Sequence, residues 1–251
     1  MPSIDLNCDL GESFGAYTIG MDSAVIPYIT SANIACGYHA GDPLVMQKTV
    51  AACKASGVHI GAHPGYPDLM GFGRRNIAAA PAEVKAYIQY QVGALSAFCA
   101  AAGVPLCHVK PHGAMYNMAA KDEALARAVC EGILEVNPGL TLLALSGSAM
   151  VRAARALGLP VKSEVFADLG YQADGTLVPR RQPGAMITDE DEAIARVIRM
   201  AKEGVVRSVN GIDVPLVADS VCVHGDGEKA LAFVRRIRAA LTDAGIEVKA
   251  L

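Results

Sequence analysis

Four times along the chain, a helix-patterned stretch ends in glycine and passes straight into β-branched or apolar residues. The junctions are Gly57-Val58-His59-Ile60, Gly103-Val104-Pro105-Leu106, Gly158-Leu159-Pro160-Val161 and Gly245-Ile246-Glu247-Val248. Glycine takes the left-handed conformation that closes a helix, so each junction predicts a helix followed at once by a strand. The uneven spacings exclude a short solenoid repeat. Helix starts agree: Asp42-Pro43 and Pro81-Ala82-Glu83 suit a first turn, and Thr188-Asp189-Glu190-Asp191-Glu192 sets acidic groups against a helix's positive end. Strands are expected near residues 3–9, 31–37, 57–62, 105–111, 140–145, 160–167 and 217–224. Helices are expected near 43–56, 81–102, 121–136, 148–157, 189–203 and 227–244, with a small hairpin around Asn210-Gly211. Strands alternating with helices pair in parallel through right-handed crossovers. Seven such units predict a distorted (β/α)7 TIM-like barrel, one domain over residues 1–251.

Composition supports a packed core. Of 251 residues, 52% are hydrophobic and only 19% charged, which excludes disorder. Twenty-two basic against 25 acidic residues leave a net charge of -3, so no basic face for nucleic acid is expected. The start Met1-Pro2-Ser3-Ile4-Asp5 carries no export signal, and a cytoplasmic chain is expected. Seven cysteines without a C-x-x-C read as reduced, mostly buried thiols. Ala86 to Val109 lacks Lys, Arg, Asp and Glu, which a membrane span would also show. Gln89, Gln91, Ser96 and His108 interrupt it, Gly103 and Pro105 break it, and Val84, Ile88, Val92, Leu95 and Cys99 recur at helical spacing. It therefore reads as an amphipathic helix followed by a strand, with no membrane partner. The run Arg235-Arg236-Arg238 reads as a solvated helix face.

In a parallel β/α barrel, functional groups gather at the carboxyl ends of the strands. Here almost every expected strand ends in polar residues: Asn7, Asp9 and Glu12; Asn33 and His39; His63; Lys110 and His112; Glu164 and Asp168; His224 and Asp226. Buried charges need partners, so this convergence predicts a polar active site on one rim. The loops Cys36–Asp42 and Ala62–Pro67, the latter with Gly65, bring backbone close to a ligand. Gly71-Phe72-Gly73-Arg74-Arg75 and Arg180-Arg181 offer clamps for a carboxylate or phosphate, or else solvated turns. The chain has no P-loop, no G-x-G-x-x-G, no H-E-x-x-H and no G-x-S-x-G. Metal ligation by Asp9, His39 and His63 is chemically open, but spacing across separate strands argues for no resident transition metal.

The stretches Asp5–Glu12 (DLNCDLGE), Ser31–Gly37 (SANIACG), Ile60–Asp68 (IGAHPGYPD) and His108–Gly113 (HVKPHG) closely resemble the LamB/YcsF family, and Phe166-Ala167-Asp168 and Cys222–Asp226 (CVHGD) continue the match. The resemblance covers essentially the whole chain. It implies a barrel similar to the glycoside hydrolase and polysaccharide deacetylase barrels. It also implies cleavage of 5-oxo-L-proline to L-glutamate with ATP and Mg²⁺, in company with 5-oxoprolinase subunits B and C. Two positions depart from the family's usual residues: Leu169 stands where Arg is common, and Met115 where Leu is common. The second swap conserves volume. The first removes a cation, so any carboxylate-binding role passes to Arg74, Arg75 or Arg180.

Beside the resemblance, residue chemistry suggests roles. Asp9, Glu12, Lys110, His112, Glu164, Asp168 and His224 are the catalytic candidates: carboxylates to orient Mg²⁺ or activate water, Lys110 to neutralise developing charge, imidazoles to move protons. Asn7, Asn33, His39, His63, Gly65, Arg74, Arg75, Arg180 and Asp226 are candidates for substrate or nucleotide binding. Two other readings of the same rim stay open: a metal-dependent amidohydrolase or deacetylase that needs no ATP, and a non-catalytic lactam- or sugar-binding protein. A homo-oligomer is compatible with all three.

Overall fold

The computed structural model describes residues 2–223 and 228–251, with side chains from residue 231 onward in the second stretch. The strand-end candidates His224 and Asp226 lie outside the described residues. The strands are β1 (Ser3–Leu10), β2 (Ser31–Ala35), β3 (His59–His63), β4 (Leu106–Val109), β5 (Thr141–Leu145), β6 (Val161–Phe166), β7 (Val205–Arg207), β8 (Asp213–Pro215), β9 (Ser220–Val223) and β10 (Glu247–Val248). The helices are α1 (Asp22–Val25), α2 (Pro43–Ser56), α3 (Pro81–Ala102), α4 (Gly113–Ala119), α5 (Glu123–Val136), α6 (Ala149–Leu157), α7 (Glu190–Glu203) and α8 (Glu228–Asp243).

Seven strands pair in parallel in the order β1-β2-β3-β4-β5-β6-β9, and β9 pairs back onto β1 from Asp5↔Ser220 to Cys8↔Val223. The sheet therefore closes into a seven-stranded α/β barrel. Strand β10 pairs outside the ring against the start of β1, and β7 and β8 form the expected antiparallel hairpin. The junction glycines behave as their neighbours demand: Gly57, Gly103 and Gly158 close α2, α3 and α6 at φ 67, 68 and 73°. Asp42 caps α2 by accepting from the Leu44 and Val45 amides, both at 2.9 Å. The cap of α7 is Asp189, which accepts from the Glu192 amide at 3.0 Å.

The apolar stripe of α3 packs inward: Val84, Ile88, Val92, Leu95 and Cys99 are all buried. Each fully buried Val, Leu or Ile contributes roughly 1.5–3 kcal/mol. This disposes of the membrane-like reading of the segment, and no helix among the described residues is long and apolar enough to cross a membrane. Six of the seven cysteines are buried, Cys107 is partly so, and all are free thiols. Three boundaries differ from expectation. Strand β4 stops at Val109, ahead of Pro111, and β2 stops at Ala35, where the chain turns into the Gly37–Ala40 hairpin turn (2.8 Å). Helix α4, unexpected from the turn-like Pro111-His112-Gly113, starts directly after His112. The basic run on α8 keeps an exposed face at Arg235 and Arg236, as expected, while Arg238 is half-buried. Arg236 pairs with Glu190 and Asp191 of α7, Arg238 donates to the Tyr28 carbonyl at 3.1 Å, and Arg235 lies over the Tyr28 ring.

Alternation along the strands sorts the residues by face. On β1, Ile4, Leu6, Cys8 and Leu10 join the hydrophobic core, while Asn7 reaches Glu164 on β6 and Ser220 on β9 across the barrel interior. The inside of the barrel is therefore polar. Its lower layer is the buried Asp5 carboxylate, which accepts from the hydroxyls of Thr30 and Ser31 at 2.6 Å and of Ser220 at 2.5 Å. Burial pushes this carboxyl above its ordinary range, and the three hydroxyls oppose the shift. Space inside is tight: a Cβ on Gly61 of β3 would lie 2.1 Å from His108 Nε2 of β4. Gly61→Ala is expected to cost about 1–3 kcal/mol through overpacking, read as a lowered midpoint in urea unfolding.

Candidate active site

At the upper layer of the barrel, Lys110 sits just past the end of β4, held by its amide to the Ala62 carbonyl at 2.9 Å. The residue is only 2% exposed. Its ammonium contacts Glu164 Oε1 at 2.8 Å, Asp9 Oδ1 at 3.0 Å, Cys222 Sγ at 3.1 Å and Asn7 Oδ1 at 3.2 Å. Burial works against its charge, but Asp9, Cys222 and Glu164 outweigh burial and hold its pKa well above the ordinary lysine value. Lys110 is therefore a fixed cation.

The amides around it are fully committed. Asn7 donates to Glu164 (2.9 Å) and Ser220 (2.8 Å), while its oxygen accepts from Lys110 and Asn33. Asn33 donates to Asn7 Oδ1 and Asp9 Oδ1, both at 2.8 Å, and accepts from His108 Nε2 at 2.8 Å. His108 is kept neutral, its pKa pushed down to about 3 by burial and then by Lys110. Tyr116, one turn into α4, donates to Glu164 Oε2 at 2.7 Å. Burial and Glu164 raise its pKa well above the ordinary tyrosine value, so it stays a donor.

Beside this network stand three imidazoles and a carboxylate. His63 Nδ1–H donates to the Lys110 carbonyl at 2.7 Å, and its Nε2 faces Asp9 Oδ2 at 3.2 Å. His112 Nε2–H donates to the Phe72 carbonyl at 2.8 Å. Phe72 holds φ +54°, which a bulky side chain rarely adopts, and this backbone aims the carbonyl at the ring. Glycine is required next door, because a Cβ on Gly73 would lie 2.7 Å from both His112 Cδ2 and His39 Cβ. His39 stacks on His112 with centroids 3.6 Å apart and reaches Glu12 Oε1 at 3.2 Å. Burial lowers the pKa of His39 and His112 well below the ordinary value, and neighbouring imidazoles add to the shift.

These groups open on a cavity of about 1090 Å³. Asp9, Glu12, His63, Lys110, His112 and Tyr116 line its floor, and Arg74, Arg75, Arg180 and Arg181 line its sides. The expected strand-end residues thus divide. Asp9, Glu12, His63, Lys110 and His112 face the cavity, whereas Asn7, Asn33 and Glu164 lie inside the barrel, holding Lys110 and Asp9 from beneath. Gly65 is not a ligand-facing backbone: its amide and carbonyl both bond the Gln91 side chain at 2.9 Å, and its missing Cβ makes room for His39. Asp168 is not part of the cavity lining; its charge acts on Arg196. Arg75 is engaged by Asp68, Arg74 lies over the Phe72 ring, and Arg180 and Arg181 line the side of the cavity. Leu169, at the family's usual Arg position, lines the cavity as an apolar wall. Cys222, Tyr116, His108, Ser220 and Gln91 are site residues that the sequence reading does not include. His108 and Cys222 stand in the stretches that resemble the family, and Tyr116 lies four residues past His112.

Removing one partner of a buried ion pair strands the others. Lys110→Met is expected to cost about 3–5 kcal/mol in denaturant unfolding, and adding Glu164→Gln is expected to return part of that loss.

The LamB/YcsF family model matches residues 4–251. A curated relative from Clostridium beijerinckii, named as the A component of 5-oxoprolinase, is 61% identical over 248 residues, covering 99% of this chain and 97% of its own. The crystal structure of a lactam utilization protein from Thermus thermophilus superposes with a TM-score of 0.93 at 46% identity, covering 99% of this chain and all of the other. A family 4 carbohydrate esterase from Streptomyces lividans shares the barrel architecture, with a TM-score of 0.52 at 12% identity over 98% of this chain and 91% of its own. With a family model and a close relative each spanning nearly its whole length, this chain belongs to the LamB/YcsF family.

Proposed function

We propose that this chain opens the lactam ring of 5-oxo-L-proline, giving L-glutamate, as the A component of an ATP-driven 5-oxoprolinase that includes subunits B and C. The observation that carries the reading is the cavity floor. A fixed ammonium, two carboxylates and two imidazoles line one space large enough for a small lactam. The name borne by the Clostridium relative, and by a 57% identical relative from Bacillus subtilis, supports the same substrate.

A lactam is an amide, flattened by the resonance that flattens a peptide bond. Ring opening breaks the C–N bond, adds water's oxygen to the carbonyl carbon and delivers a proton to the ring nitrogen. Phosphorylation of the carbonyl oxygen at the expense of ATP removes the resonance and makes the carbon electrophilic; water adds there, the C–N bond breaks to leave a glutamyl acyl phosphate, and a second water releases inorganic phosphate from it. Lys110 offsets negative charge developing on that oxygen. Asp9 or an imidazole of His63 or His112 takes the water proton and returns it to nitrogen. Arg74, Arg180 and Arg181 suit the substrate carboxylate or a phosphate. The floor itself carries Asp9 and Glu12, with Glu164 beneath, which disfavours a bare triphosphate. We therefore assign ATP and Mg²⁺ to the complex and the lactam to this chain.

The test is glutamate release from 5-oxoproline by the chain with and without subunits B and C, with and without ATP. Release is expected only from the complete complex with ATP. Asp9→Asn and His112→Ala within the complex are each expected to lower kcat about 100-fold or more. Stoichiometric release by this chain alone, or release independent of ATP, would overturn the reading in favour of an ATP-independent amidohydrolase. Calorimetric lactam binding with no turnover in the full complex would favour a binding role instead.

A further inference from the structure

Hydrogen bonds to backbone carbonyls decide which ring nitrogens at the site carry protons. His63 carries a hydrogen on Nδ1, because that atom faces the Lys110 carbonyl at 2.7 Å, so in the neutral ring the lone pair sits on Nε2. His112 must be protonated at Nε2, because that atom faces the Phe72 carbonyl at 2.8 Å, which leaves a lone pair on Nδ1. Those two lone pairs meet head-on at 3.0 Å. Oxygen atoms of carboxylates complete the ring: Asp9 Oδ2 lies 3.2 Å from His63 Nε2, and Glu12 Oε1 lies 3.7 Å from His112 Nδ1. In the neutral rings none of these four atoms has a hydrogen to give to the others. Electron-rich atoms packed this way repel unless a proton or a metal ion sits among them.

We propose that Glu12, His63 and His112 hold one divalent transition-metal ion, with Asp9 at its edge and its open side toward the cavity. The ligand atoms of Glu12, His39, His63 and His112 all lie within 4.8 Å of one another, and all four residues are buried. Two imidazole nitrogens with carboxylate oxygen form a borderline donor set, suited to zinc, iron, cobalt or manganese rather than calcium. His39 does not complete the set. Its ring lies parallel to that of His112, 2° between planes, so their in-plane lone pairs run side by side and do not converge. His39 instead donates Nε2–H to Glu12 Oε1 at 3.2 Å and orients that carboxylate. This also accounts for His39 Nδ1, buried without a hydrogen-bond partner, as a bare acceptor and not a stranded N–H.

The inference departs from the expectation of no resident transition metal. That expectation rested on the wide separation of the residues along the chain, which folding removes. Metal binding stands on the geometry alone. Its use, sharpening a bound water for attack on the activated lactam, rests on the ring-opening reading.

The test begins with the full chain stripped by chelator and titrated with Co²⁺, a spectroscopic stand-in for zinc. About one Co²⁺ per chain is expected, with visible absorption bands, a raised melting temperature and retention of Zn²⁺ through dialysis. His63→Ala and His112→Ala are each expected to weaken Co²⁺ binding about 100-fold or more, and Glu12→Gln, which keeps the side-chain shape, about 10–100-fold. Exposed His59→Ala is expected to bind as the parent chain does. A parent chain that retains neither metal and melts unchanged overturns the proposal and leaves a proton shared between the two rings. So does Co²⁺ binding that is unaltered by Glu12→Gln together with either histidine variant. In the complete complex, ATP-dependent glutamate release that persists after metal removal keeps the ring-opening reading and overturns the catalytic use of the metal. Co²⁺ binding in a complex that releases no glutamate overturns the ring-opening reading alone.

Discussion

A single ammonium in the barrel interior sets the terms for everything above it. Lys110 neutralises the fully buried Glu164 and the mostly buried Asp9, and the three charges are tolerable only together. The amides of Asn7 and Asn33 take up the remaining lone pairs, so the cluster has one arrangement and not several. That rigidity is what a catalytic floor needs, because a misplacement of even about 1 Å costs rate steeply. The barrel interior is therefore not the apolar plug common in parallel barrels but a stack of polar layers. Asp5 with its three hydroxyls lies at the bottom, Asn7 and Asn33 in the middle, and Asp9, His63 and Lys110 at the mouth.

The imidazoles depend on backbone in a similar way. One carbonyl fixes His63 and another fixes His112, and the second is presented by Phe72 in a left-handed conformation that a bulky side chain resists. Conformational strain at a site persists only where surrounding structure overdetermines it. Here the Asp68–Arg75 pair, the Gly73 amide bond to the Asp68 carbonyl (2.9 Å) and the Ala114 amide bond to the Gly73 carbonyl (2.8 Å) do so. The loop that reads as an arginine clamp is thus equally a device for aiming one carbonyl.

Much of the fold was legible because each cue was local. A glycine that closes a helix, an aspartate before a proline and a five-residue apolar stripe at helical spacing each report on their own few neighbours. All of them recur in the structure within a few residues of where they were expected. The boundaries that shifted did so where a proline or a turn ended pairing early, as at Val109 and Ala35. The site was legible in part for the same reason: Asp9, His63, Lys110 and His112 follow directly on strands, and strand ends in a parallel barrel share a rim. Asp168 also follows a strand, but it is not part of the described cavity lining, and its charge acts on Arg196. Ser220 gave no signal, and His108 and Cys222 stood in the family stretches without reading as site residues, since a small or aromatic polar residue inside an apolar run looks like core until its cross-barrel partner is known.

Order along the chain determined the alternation of strands and helices, the polar character of the strand ends and membership of the family, because these are properties of short contiguous segments. Only closure of the barrel decided which polar residues became neighbours. Asn7 and Glu164 are 157 positions apart and bond at 2.9 Å; His63 and His112 are 49 apart and meet at 3.0 Å. Protonation states followed from that closure as well, because a ring nitrogen's hydrogen is assigned by the carbonyl it faces, and those carbonyls come from other loops.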